Sequence, residues 1–235
     1  MNDEIKVGSV LTLGMWPYDR KGTVQPIEWI VVDKSSDGTG LLMTLHGIDS
    51  RQYNEKDGSV TWEQCSLRKW LNEEFYNQAF IESEKNFIIL ETIKTECRRN
   101  FISALFSGKT VSTKDGVFLL TAEEAEAFFG SDSKRTAKPT QWAVQQLAFS
   151  DTEQDGSCWW WLRSPGAKAD MAACVCGGKV NTEGYKVDYN SNSVRPVIKF
   201  NINLYKQIKS EAFKERVKQA NQQTQENQEE NNNNF

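Results

Sequence analysis

The chain has a single histidine, His46, among its 235 residues. That scarcity sets aside most imidazole chemistry. A Ser-His-Asp or Cys-His relay would have to draw on His46, which stands beside Gly47 at the end of an apolar run. A closed zinc site would lack its usual ligand set. Also missing are a G-x-S-x-G elbow, a phosphate-cradling Gly-Lys-Ser/Thr loop and a Rossmann glycine word. A hydrolase built on carboxylates alone stays open, because Asp and Glu pairs can meet from distant points of a chain. No cofactor or metal is expected.

Long apolar runs are lacking too, and nothing approaches the roughly 20 residues of a membrane helix. Asp3 and Glu4 stand where a secretory leader carries basic residues, so a soluble, cytoplasmic protein is expected. Lys and Arg number 28 against 32 Asp and Glu, for a net charge of −4 without a large block of one sign in the body. That argues against a phosphate-binding face and so against nucleic acid as a partner. Cysteines are few and odd in number (Cys65, Cys97, Cys158, Cys174 and Cys176), which reads as reduced, partly buried thiols rather than a disulfide framework.

Aromatic residues are abundant: eight Trp and twelve Phe can build a sizeable core despite the hydrophilic average. Much of that polarity sits in residues 219–235, almost wholly Asn, Gln and Glu, which cannot offset chain entropy by burial. The expected organisation is one globular α+β domain over residues 5–204. A fraying helix and disordered Gln/Asn/Glu-rich tail follow over 205–235.

Residues 7–13 and 27–32 are β-branched and apolar around a turn-rich stretch, and 41–45 follow a Gly-Thr-Gly punctuation. They predict an N-terminal β-meander. Leu67, Trp70, Leu71, Phe75 and Phe80 recur at helical spacing, with a shorter run from Ser83 through Leu90. Residues 117–120 read as a short strand. Thr121 and Glu124 form a capping box for a helix stopped by Gly130, and 140–149 can add a turn or two, giving two to four amphipathic helices. Segments at 158–162, 174–175, 178–180, 185–189 and 194–200, separated by Gly166, Gly177, Gly184 and residues 190–193, predict a C-terminal curled antiparallel sheet.

Four separated words stand out: residues 61–72 (TWEQCSLRKWLN), 117–120 (VFLL), 160–166 (WWLRSPG) and 194–197 (VRPV). In this order they resemble a bacterial domain family of unknown function over roughly residues 8–202. The closing half in turn is similar to the C-type-lectin-like fold shared by formylglycine-generating enzymes and by the variable receptors of diversity-generating retroelements. The resemblance implies a C-type-lectin-like fold but no activity, since none is established for the group. The Glu-Pro-Asn or Gln-Pro-Asp loop and Trp-Asn-Asp word of calcium-dependent lectins are not present, so it brings no calcium.

Several residues could carry function. Trp159, Trp160 and Trp161 alternate across a strand, so Trp160 should face away from its neighbours. Trp159 and Trp161 are candidates to meet a ligand, and burial of all three is the alternative. Arg163 could clamp an anion together with Arg195, or tie loop carbonyls to a sheet edge. Tyr185, Asp188, Tyr189, Asn190 and Asn192 fall in a predicted last hairpin and mix rigid aromatics with adaptable polar groups, as paratopes do. Ordinary turn composition is their alternative. Trp70, Trp160, Arg195 and Pro196 are assigned structural roles. Cys174-Val175-Cys176 puts two thiols on one strand face, but that spacing is not the cysteine arrangement of formylglycine-generating enzymes. The leading expectation is a non-enzymatic recognition module that binds a protein, a small molecule or a saccharide through the C-terminal β half. The alternatives are an enzyme related in fold to formylglycine-generating proteins, and a structural or assembly partner.

Overall fold

The structure, a computed structural model, describes residues 4–96 and 110–208. The protein is mixed α+β, as the pattern predicts. The opening meander consists of β1 (Val10–Pro17), β2 (Val24–Lys34) and β3 (Thr39–Thr44). A bulge interrupts the β1 register between Thr12 and Met15. Gly14 sits there at φ +69, and a Cβ on it would lie 2.7 Å from the Phe80 ring, so the bend needs glycine for both conformation and space.

After β4 (Asp49–Ser50), the predicted helix over Leu67 to Phe80 forms in three pieces: α1 (Ser66–Trp70), a π turn (Leu71–Phe75) and α2 (Tyr76–Ala79). Trp70 and Phe75 explain the widened turn. Five residues apart on an α-helix they would point about 140° away from each other. Both instead touch Trp16, at ring distances of 5.8 and 5.0 Å, and the i→i+5 winding brings them to one side.

The run from Ser83 to Leu90 is not one helix. It divides into α3 (Glu82–Lys85) and β5 (Ile88–Ile89). A two-stranded hairpin of β6 (Glu91–Glu96) and β7 (Thr110–Asp115), not expected from the sequence, comes next. Residues 117–120 are buried but make only a bridge, Phe118 to Val197. The capping box forms as predicted in α4 (Ala122–Phe129): Glu124 N–H donates to Thr121 Oγ1 at 3.1 Å, Thr121 N–H to Glu124 Oε2 at 2.9 Å, and Gly130 closes the helix at φ +61. Short helices α5 (Asp132–Arg135) and α6 (Gln141–Gln145) lead to the closing strands.

Those strands are β8 (Trp160–Pro165), β9 (Met171–Cys176), β10 (Lys179–Lys186), β11 (Ser193–Val194) and β12 (Val197–Asn201). Gly184 does not separate two strands: it forms a bulge within β10 at φ +76, packed so tightly that a Cβ would lie 2.2 Å from the Ala172 carbonyl. The stretch from Tyr185 to Asn192 is not a hairpin either. It crosses the sheet to β11, which pairs in parallel with β8 and antiparallel with β4. Two five-stranded sheets result, in the orders β1-β2-β3-β12-β5 and β10-β9-β8-β11-β4. Among the described strands the chain changes sheet four times, from β3 to β4, from β4 to β5, from β5 by way of β6 and β7 to β8, and from β11 to β12, and one buried apolar cluster includes residues of both sheets and of the helices. Backbone from residue 202 to 208 is helical, and the predicted tail beyond it lies outside the described residues.

Candidate functional site

The four words of the sequence meet in space, and their polar groups are used in holding the fold. Asn72 donates to the carbonyls of Arg68 and Val117 and accepts from the N–H groups of Gly116 and Val117, joining the first word to the second. Trp62 and Arg68 both donate to the fully buried Asp115, at 2.9 and 2.7 Å. In the third word, Arg163 makes a bidentate pair with Glu124, two contacts of 2.7 Å, and also donates to the Leu119 carbonyl. Phe118 and Val197 exchange backbone hydrogen bonds of 2.9 and 2.8 Å, tying the second word to the fourth.

Arg195 and Pro196 form the passage from β11 to β12. The Arg195 guanidinium donates to the Thr44 and Leu45 carbonyls, at the passage from β3 to β4, and lies 4.9 Å over the Trp160 ring. Burial pulls its pKa down to about 10, with neighbouring Cys158 acting the other way. Arg163 and Arg195 therefore do not form a clamp. Each is buried and engaged with its own partners, Glu124 and Leu119 for Arg163 and the Thr44 and Leu45 carbonyls for Arg195.

Trp161 is also in the core, with no exposed surface and its indole N–H donating to the Arg51 carbonyl at 2.8 Å. It presents nothing to a ligand. Trp160 donates from its indole to the Arg135 carbonyl and is buried as well. Asn192 is buried without a hydrogen-bond partner at either amide atom, so it too is off the surface.

The remaining candidates come together. Trp159 is half-buried, and its ring lies 5.3 Å from that of Tyr185, whose ring stacks on Tyr189 at 5.1 Å and 24°. Phe149, not singled out in the sequence, extends the row at 4.6 Å from Trp159. The result is a column of four half-exposed rings, Phe149-Trp159-Tyr185-Tyr189, contributed by three separate segments. Asp188, whose carbonyl accepts from Gln52, and exposed Asn190 flank its Tyr189 end. Asn190 also lines an open groove of about 250 Å³ with Arg51, Trp70, Gln146 and Leu147. Arg51 lies 4.1 Å over the Trp70 ring there. Leu147 is 60 % exposed and holds φ +79, an uncommon conformation for a bulky residue. Neither Phe149 nor Leu147 carried a sequence signal beyond apolar character, because their neighbours in the site are distant in the chain.

Beside the column lie the two thiols of β9. Cys174 and Cys176 place their Sγ atoms 3.3 Å apart, with Cys174 buried and Cys176 half-buried. The hydrogen bond from Cys174 holds the Cys176 pKa below the ordinary thiol value against the opposing effect of burial, with Asn181 assisting. That same contact, followed by burial, pushes Cys174 up, and the adjacent Asn192 amide offsets part of the rise.

A further cavity of about 200 Å³ lies between β8 and the β6–β7 hairpin, lined by Tyr53, Trp62, Thr95, Thr113, Arg163 and Met171 among others. Among the described residues Glu63 is the one carboxylate in its lining, and no thiol lines it. Among the described residues no three His, Cys, Asp or Glu side chains gather as metal ligands, and no helix is long and apolar enough to cross a membrane.

A family model described as a domain of unknown function, DUF6273, matches residues 37–202. No curated protein and no solved structure matches the chain.

Proposed function

The chain belongs to the DUF6273 family, and from that premise we propose that it is a recognition module whose contact surface is the ring column Phe149-Trp159-Tyr185-Tyr189 with the adjoining groove. The column carries the reading. Half-exposed Trp and Tyr rings held by one another are pre-organised, so little side-chain entropy is lost on contact. A polypeptide partner fits best. The rings spend much of their faces on each other and offer edges and the ends of the row, whereas a saccharide stacks on an open face. Leu147, Gln146 and Asn190 in the groove supply the apolar and adaptable polar contacts that surround such anchors at protein interfaces. A net charge of −4 makes nucleic acid a poor partner. We also take the fold as C-type-lectin-like and bacterial, on the strength of the sequence resemblance and the curled antiparallel half.

Selection of a random peptide display library on the full chain tests the proposal, with a glycan array as the second arm. Peptides selected on the native protein should lose at least about tenfold in affinity for Tyr185→Ala and Tyr189→Ala, the scale of a truncated hot spot, while both variants keep the native circular dichroism and melting profile. Column-dependent glycan binding without column-dependent peptides would replace the polypeptide with a saccharide. Binding that ignores both substitutions would remove the column from the function.

A further inference from the structure

We propose that Cys174 and Cys176 form an oxidation site at which a hydroperoxide closes the two thiols into an intramolecular disulfide. Their Sγ atoms are 3.3 Å apart on one strand. A tetrahedral metal with sulfur ligands at about 2.3 Å would hold them about 3.8 Å apart, and no third ligand group gathers there among the described residues. The pair is too close and too poor in ligands for zinc, and is one short movement from a sulfur–sulfur bond. Positions i and i+2 of a strand lie roughly 6.6 Å apart, near the upper limit of about 6.8 Å for bridged Cα atoms. The closed form is therefore strained and easily reduced.

The two thiols have different roles. Cys176 is half-buried at the end of β9, within an oxidant's reach, and the Cys174 hydrogen bond favours its thiolate. Cys174 is fully buried and holds the proton. A second observation marks the same place: the Asn192 amide is fully buried and faces Cys174, where it favours the thiolate without completing a hydrogen bond.

In the first step the Cys176 thiolate attacks a peroxide oxygen. The O–O bond breaks, the leaving oxygen takes a proton as an alcohol or water, and Cys176 becomes a sulfenic acid. The Cys174 sulfur then attacks the Cys176 sulfur, the S–O bond breaks, and the hydroxyl leaves as water with the Cys174 proton. Two thiols and one hydroperoxide give one disulfide, one alcohol and one water, and the peroxide gains the two electrons that the sulfurs lose.

The test treats the reduced full chain with stoichiometric hydrogen peroxide, then alkylates it under denaturing conditions and digests it with trypsin. Residues 169–179 form one peptide that carries both thiols and no other cysteine. This peptide should become unalkylated and lighter by two hydrogens at least about tenfold faster than buried Cys65 and Cys158 lose their alkylation, and dithiothreitol should restore both thiols. Oxidation of Met171 would instead add an oxygen. Cys174→Ser should leave a Cys176 sulfenic acid that dimedone traps, and Cys176→Ser should leave Cys174 alkylatable. Should either variant misfold, the native peptide's kinetics decide alone. A pair that stays alkylatable, or oxidises no faster than Cys65 and Cys158, overturns the proposal.

Discussion

Asp115 and Asp49 are both buried carboxylates, and they differ in how many donors hold them. Asp115 accepts from Trp62, Thr113 and Arg68, so its charge is matched by hydrogen bonds and by a guanidinium. Asp49 accepts from the Ser50 N–H at 2.8 Å, and Arg51 Nε stands 3.8 Å away. The buried indole N–H groups of Trp16 and Trp142 also favour its charge without completing a hydrogen bond. Desolvation is the largest effect on Asp49 and raises its pKa above 3.8, with Arg51 and then Ser50 opposing it. The folded protein thus binds this proton more tightly than the unfolded chain does, so folding takes up a proton between the two pKa values. The stability linked to Asp49 is full below the unfolded value and falls as pH rises through the folded one. Asp49→Asn cannot ionise. Its stability relative to the native protein, from urea unfolding, should therefore improve between about pH 3 and pH 7. A difference that is flat or moves the other way would mean that Arg51 and the Ser50 N–H offset the burial of Asp49 in full.

At the scale of elements, the joint between α4 and β8 is the pair Glu124 and Arg163, with Glu124 at the same time closing the capping box of its helix. Arg163→Ala removes the counter-ion of Glu124 and the donor to Leu119 from a buried position, and should cost about 3–5 kcal/mol in denaturant unfolding. Arg163→Lys should recover less than half of that, since an ammonium cannot reproduce the fork. A loss below about 1 kcal/mol for Arg163→Ala would show the pair to be dispensable. The helix ends were legible because Thr121 acts with Glu124, and Gly130 with Glu126, each within about one turn of chain. The π turn was not: it depends on Trp16, more than fifty residues upstream of Trp70. The Gly184 bulge depends on a close approach to Ala172 that no local pattern records. The buried residues of the β6–β7 hairpin are Ile93, Thr95, Thr113 and Asp115, three of the four polar, so hydrophobic periodicity does not reveal it.

For the whole molecule, the same contrast holds for the site. Trp159, Tyr185, Tyr189 and Asn190 could be picked out by residue type, but Trp161, Arg163 and Asn192 share that chemistry and prove to be buried, because residue type does not say which side of a sheet is covered. Phe149 entered the column only through folding. The four distinctive words instead converge on residues 117–120, which Asn72 holds from one side, Arg163 from another and Val197 along its edge. This convergence makes the segment a common anchor for both sheets and the first helical run, and predicts energetic coupling between residues that do not bond to each other. Asn72→Ala should cost about 2 kcal/mol or more by leaving buried backbone groups unpaired. Once residues 117–120 are loosened at one end, less remains to lose at the other. The double variant Asn72→Ala/Arg163→Ala should therefore be more stable than the sum of the single losses implies, by about 0.5–3 kcal/mol. Urea unfolding of the four proteins measures this term directly. Additivity within the error of the cycle would mean that the words stabilise the fold as independent contacts, and that residues 117–120 transmit nothing between them.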